Sequence, residues 1–256
     1  MVKLTNYHIV RKLIFSENRV IRQIEIMKRF LSPISAIFLC LSTQFITAEP
    51  TEIVFAYIGD TEHSAYSGIS QGLHEANIQG QFLGQKYTLE TFSDASELPG
   101  NTDKFLAFLS AQQSEGLMDS IERAKQHPVF NLVAENDELR EACHSNMLSI
   151  IPSNKMKEDA AAQWRSKHPE STINPLAWHH NFNKFAARDL NKRFRKAFDK
   201  NMDDYAWAGW AAIRMSADTV AREAIADPVI LLNHLKTNLS FDGQKGLDMD
   251  FRETGQ

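Results

Sequence analysis

The sequence predicts an α/β layered fold built on a parallel sheet, and three observations carry that prediction. Ile53-Val54-Phe55-Ala56-Tyr57-Ile58 is a continuous apolar run closed by Gly59-Asp60, the pattern of a strand buried on both faces. Val129-Phe130-Asn131-Leu132-Val133-Ala134 is a second such run, introduced by Pro128. Between the strand-like runs lie segments whose apolar residues recur at helical spacing, so strand and helix alternate along the chain.

The elements follow in order. Tyr66 to Asn77 carries Ile69, Leu73 and Ala76 on one helical face, and Gly80 and Gly84 are expected to break that helix. Tyr87-Thr88-Leu89-Glu90-Thr91-Phe92 alternates and is rich in β-formers, which predicts a strand. Strand, helix and strand with short joints imply a right-handed crossover and a parallel pair. Asn101 to Gln113 reads as a helix through Phe105, Phe108 and Leu109, and a further helix is expected around Met118 to Lys125. Met147 to Ile151 is a short apolar run stopped by Pro152, and Ser153 is placed to cap a helix running through Trp164.

Ser166 to Asn174, flanked and broken by Pro169 and Pro175, reads as a linker, and helices dominate beyond it. Phe182 to Asp199 sets Phe185, Leu190, Phe194 and Phe198 against Lys184, Arg188, Lys192, Arg193, Arg195 and Lys196. A solvated outer face is the ordinary reading of such a basic side, with a membrane surface or an acidic partner as the alternative. Asp203 or Asp204 caps a helix to about Ala224 that is dense in small residues. Asp227-Pro228 opens another helix, with aspartate at the cap and proline in the first turn. Phe241-Asp242-Gly243 and Leu247 to Phe251 alternate around glycines, which predicts a hairpin.

Export is written near the start. Lys28 and Arg29 follow Met27 as a positive region, Ile34 to Leu41 is a short apolar region, and Ile46-Thr47-Ala48 ends on a small residue. Met27 to Ala48 therefore reads as a cleavable signal peptide and implies a periplasmic protein, since the apolar run is shorter than the roughly 20 residues a spanning helix needs. Phe38 and Leu39 before Cys40 are too bulky for a lipid-attachment site. Residues 1–26 read as an upstream over-extension or a disordered segment, with translation expected to begin at Met27. Removing the first 48 of 256 residues leaves 208, enough for one domain. A composition of 43% apolar and 23% charged residues is that of a soluble globular chain, and a formal charge of −4 argues against nucleic acid as a partner. Cys40 leaves with the signal, so Cys143 has no intrachain partner, and a buried thiol is expected there.

Three regions together resemble a known family. They are the opening strand, loop and helix; VFNLVAENDELREACHSNMLSIIPS from Val129 to Ser153; and Pro175 to Gln256, with PLAWHHNF, MDDYAWAGWAAIRM and FDGQKGLDMDFRETGQ. The chain resembles the substrate-binding proteins of branched-chain amino acid ABC transporters, as found with pyrroloquinoline quinone-dependent alcohol oxidation systems. The resemblance implies a type I periplasmic binding fold: two α/β lobes with ligand in the cleft between them, at the carboxyl ends of parallel strands. Against that pattern the passage from Trp164 to Pro175 is too short for the second lobe, the one from Gln113 to Met118 too short for a further strand of the first, and Gln256 falls before the family's closing strand. The expectation is one three-layer parallel-sheet lobe over residues 49–256, built from segments 50–165 and 175–256.

Candidate ligand contacts are Thr61, Glu62, His63, Ser64 and Tyr66 after the first strand, and Glu135, Asn136 and Asp137 after the Phe130 strand. A solvated loop is the competing reading of both clusters. His179-His180 lacks a third ligand, and side chains adjacent on a helix diverge by about 100°, so no metal is expected. Trp178, Trp207 and Trp210 read as packing residues among alanines. No nucleophile-and-base set, phosphate loop or paired carboxylates stand out, so neither an enzyme nor a cofactor is expected. Two functions remain: a periplasmic solute-binding component taking a small molecule and docking on an ABC permease, or a single-lobe interaction protein. The second would contact a protein partner, or itself, through an exposed apolar lobe face.

Overall fold

The first strand, β1 (Thr51–Ile58), alternates Ile53, Phe55 and Tyr57 toward one apolar cluster with Ala56 and Ile58 toward another, so it lies in the middle of the molecule. In the computed structural model, which describes residues 49–252, 254 and 255, it is flanked by β2 (Gln85–Phe92) and β3 (Phe105–Ser110). β4 (Val129–Asn131) and β5 (Met147–Ser149) complete a five-stranded, all-parallel sheet in the order β2-β1-β3-β4-β5. The segment read as a signal peptide, Met27 to Ala48, and residues 1–26 lie outside the described residues.

Helices cover both faces. On one side lie α1 (Ser64–Leu83), α5 (Ala187–Phe198), α6 (Asp204–Glu223) and α7 (Pro228–Thr237), whose apolar residues join those of Phe55 and Tyr57. On the other, α2 (Ser114–Ala124) and the single turn α3 (Glu138–Glu141) cover Ala56, Phe105 and Phe108. The result is the three-layer α/β/α lobe the sequence predicts. The exception is α4 (Asn154–Lys167), which buries none of its residues and leaves Met156 and Trp164 exposed.

Local chemistry sets most boundaries. Ser153, Asp203 and Asp227 each accept a first-turn backbone N–H, from Met156, Ala206 and Ile230. Gly84, left-handed at φ 65°, ends α1. Gly80 does not break that helix. A Cβ there would stand 2.5 Å from the Gln85 carbonyl oxygen, so glycine at this position lets the helix lie close to the start of β2.

The largest correction concerns Phe105–Ser110, a strand where helix is expected. All six residues are buried. A short run such as FLAFLS satisfies helical spacing and doubly buried strand alike, and its place between β1 and β4 decides the matter. No strand is therefore missing before Met118: β3 stands upstream of the passage from Gln113. α5 begins at Ala187 and not Phe182, because Phe185 is left-handed at φ 52°. The C-terminal hairpin reduces to one antiparallel bridge, Phe241 to Met249. Cys143 is exposed and left-handed at φ 51°, not buried. His179 and His180 lie in a turn and not on a helix, with their rings 4.3 Å apart.

One carboxylate ties three helices together. Glu75 on α1 accepts from Trp210 Nε1 at 2.9 Å, Gln71 Nε2 at 2.8 Å and Arg193 Nε at 2.8 Å. Burial pushes its carboxyl up, but these hydrogen bonds and the Arg193 charge outweigh burial and hold it below the usual range. A depressed folded-state value contributes stability above the unfolded value, about 4.3, that is lost as pH falls through the folded one. Glu75→Gln is thus expected to lose about 1–2 kcal/mol at pH 7. The gap between parent and variant should narrow below about pH 4, which urea unfolding across pH would measure.

Candidate functional site

The strand order reverses between β1 and β3, which stay paired to their carboxyl ends, where the Ala111 N–H donates to the Ile58 carbonyl at 2.9 Å. An open cleft of about 370 Å³ lies beside this point, over the carboxyl ends of β2 and β1 with one side chain from beyond β3. Asp60 and Thr61 reach it from β1, Thr91 and Ser93 from β2, and Gln112 from β3, over Gly59 and Phe92. Gln112 Nε2 donates to the Ser93 carbonyl at 2.8 Å, and the Tyr57 hydroxyl donates to the Asp60 carbonyl at 2.7 Å. The walls are thus hydroxyl, amide, carboxylate and backbone groups, suited to a small polar ligand.

Of the predicted residues, Thr61 lines this cleft directly. Glu62 is exposed, with its backbone N–H on Asp60 Oδ1 at 2.9 Å. His63 is occupied in capping α1: its Nδ1 accepts the Ala65 N–H at 3.2 Å. Ser64 opens that helix, and Tyr66 packs its ring 5.3 Å from Tyr57.

The second cluster sits past β4. Buried Asn131 shapes its approach, donating to the Ala134 carbonyl at 2.8 Å and accepting the N–H groups of Val133 and Ala134. Glu135 then meets Lys157 Nζ at 2.6 Å and receives the Tyr205 hydroxyl at 3.3 Å. Asn136 is exposed. The Ser153 hydroxyl, followed by the Lys155 N–H, holds the Asp137 carboxyl below the usual range. Burial, then the Glu135 charge and hydrogen bond, push the Tyr205 phenol up.

Tyr205 joins the two predicted loops, because its ring also lies 5.3 Å from that of His63. Sequence reasoning missed Tyr205, Lys157, Asp60, Ser93 and Gln112. Gln112 would have been found had FLAFLS been read as a strand, since it follows that strand's end. Among the described residues no group of three or more His, Cys, Asp or Glu side chains is placed to hold a metal ion.

With the parallel sheet, its order and the strand-end cleft established, the molecule superposes on solved structures. An ABC transporter substrate-binding protein from Desulfitobacterium hafniense matches with a TM-score of 0.67 at 12% identity, over 80% of this chain and 94% of that one. The fold is that of a type I periplasmic binding protein lobe. The leucine binding protein LivK from Thermotoga maritima matches at TM-score 0.60 and 10% identity, over 79% and 92% of the two chains. The branched-chain amino acid transporter substrate binding protein LivJ from Streptococcus pneumoniae, solved with isoleucine, matches at TM-score 0.57 and 11% identity, over 80% and 93%. At these identities the likeness is one of fold. No protein-family profile matches the sequence, and no curated protein matches it. Among the described residues no helix of this type I lobe is long and apolar enough to cross a membrane.

Proposed function

We propose that the chain is an exported solute-binding lobe of an ABC uptake system, released into the periplasm by cleavage near Ala48. The observation that carries this reading is the polar cleft at the carboxyl ends of β2 and β1, beside the point where the strand order reverses and at the edge where open α/β sheets take their ligands. The type I fold, met in amino-acid-binding proteins of ABC transporters, supports it. Thr61, with Asp60 and Gln112, contacts the ligand; Glu62, His63, Ser64 and Tyr66 form the rim on the α1 side. Glu135, Asn136 and Asp137 form the far rim. The resemblance of the C-terminal segments extends the proposal to a shortened, single-lobe protein, residues 50–165 and 175–256, serving a quinone-dependent alcohol oxidation system.

A second reading rests on a different observation. Glu135 is already engaged by Lys157 and Tyr205, and α4 exposes Met156 and Trp164. Both suit a lobe that contacts a protein, or a second copy, without capturing a solute. Calorimetric titration and thermal shift with leucine, isoleucine, other amino acids, short alcohols, their acids and the quinone cofactor distinguish the two. Solute binding predicts a shift with at least one compound that Thr61→Ala and Gln112→Ala weaken. No shift with any of them, together with concentration-dependent self-association, would leave the interaction reading standing.

A further inference from the structure

We propose that α5 and the tip beside it form a docking surface for an anionic phospholipid bilayer. The first observation is charge. Lys184 to Lys200 holds seven basic and two acidic residues, net +5, whereas residues 49–256 hold 21 basic and 30 acidic ones, net −9. The basic residues are sorted by the helix. Ala187, Leu190, Asn191 and Phe194 are buried against the lobe, so Arg188, Lys192 and Lys196, spaced by four, run along the outer face, where exposed Asp189 is the acidic residue among them and lies 3.7 Å from Arg188. Lys184, Lys192, Lys196 and Lys200 make no ion pair among the described residues; Arg193, on the flank, is held by Glu75 at 2.8 Å and fixes the helix in place.

The second observation is independent of charge. Phe185 and Leu247 are 65% and 70% exposed, and they are neighbours: Phe185 lies against Gly246, where any side chain would collide with its ring. Phe185 stands two residues before α5, between Lys184 and Arg188. An aromatic and an aliphatic side chain exposed together beside a basic stripe match what a bilayer interface takes, with apolar groups below the headgroups and cations level with them. An acidic protein partner would use the stripe without needing the exposed pair.

Co-sedimentation of the full chain with vesicles tests this. Binding is expected to vesicles of phosphatidylglycerol and phosphatidylcholine in low salt, falling with added salt, and not to phosphatidylcholine alone. Each cation at such a surface strengthens partitioning about fivefold, so Arg188→Gln, Lys192→Gln and Lys196→Gln together should weaken binding about a hundredfold. Phe185→Ser with Leu247→Ser, the stripe intact, should weaken it about tenfold. Circular dichroism confirms that both variants remain folded, as expected for exposed positions. Equal binding to neutral and anionic vesicles, or unchanged binding by the triple variant, would overturn the proposal. So would an unaffected Phe185→Ser, Leu247→Ser variant, which would point to a polyanionic protein partner.

Discussion

Gly68→Ala is expected to destabilise the protein by about 3 kcal/mol, lowering its melting temperature by about 6–12 °C. The reason lies in how closely α1 and α6 approach. A Cβ on Gly68 would fall inside the Ala206 carbonyl group of the facing helix, and one on Gly209 would collide with the Ala65 carbonyl oxygen. The obstacle in both cases is backbone, which no rotamer change can move aside. The helices would have to separate, opening gaps around Ile69, Trp210 and Ile213 beneath them. Gly209→Ala should behave alike. Gly100→Ala provides the control, because nothing stands within 4 Å of its Cβ position, and its effect should stay within about 0.5 kcal/mol. A Gly68→Ala protein as stable as its parent, in thermal or urea unfolding, would mean that the helices have slack.

Trp207→Ala should cost about as much, roughly 3–5 kcal/mol. Trp207 is buried in the first turn of α6 and joins three stretches of chain. Its ring is nearly parallel to that of Trp178, 6.0 Å away; its Nε1–H donates to the Gly243 carbonyl at 3.1 Å; and Lys245 Nζ sits 3.4 Å from its ring centre. Trp178 in turn is fixed through its backbone N–H to Asp204 and its Nε1–H to Asn191. Burial pushes the Lys245 ammonium down to about 8, opposed by the Asp204 charge, so this lysine belongs to the packed structure. The loss should be local as well as global. Hydrogen exchange at the Phe241 and Met249 amides, which pair at 3.1 and 2.8 Å, should quicken in Trp207→Ala more than exchange within β1 and β3. Trp207→Phe retains a ring against Trp178 without the Gly243 hydrogen bond, and should cost about 1–2 kcal/mol. Uniform acceleration across the chain would show that Trp207 holds no separable unit.

Much of the fold is legible because its signals are local. An apolar run closed by Gly59-Asp60 announces β1, and Ser153, Asp203 and Asp227 announce three helix starts through side chains that bond within a turn. What was missed depends on residues distant in sequence. FLAFLS becomes a strand because β1 and β4 lie on either side of it, and Gly80 remains helical because Gln85 needs the space. The site divides in the same way. Thr61 and Glu135 follow strands and can be placed at the sheet's carboxyl edge from sequence alone. Tyr205 joins their loops from 70 residues beyond Glu135, and nothing in its neighbourhood indicates that the hydroxyl reaches Glu135.

The exposed helix α4 has a consequence for how this chain can change. Its start is fixed by Ser153 at the edge of the sheet, and the chain re-enters the core at Trp178. Between these anchors α4 fully buries none of its residues and meets the lobe chiefly through Lys157 on Glu135, so the lobe's packing places little demand on what lies beyond its first turn. Closing a longer connection costs only about 0.6 kcal/mol for each doubling of its length. The lobe can therefore act as host to an inserted guest domain between Lys167 and Pro175, or lose one there, while the sheet and its helices remain as they are.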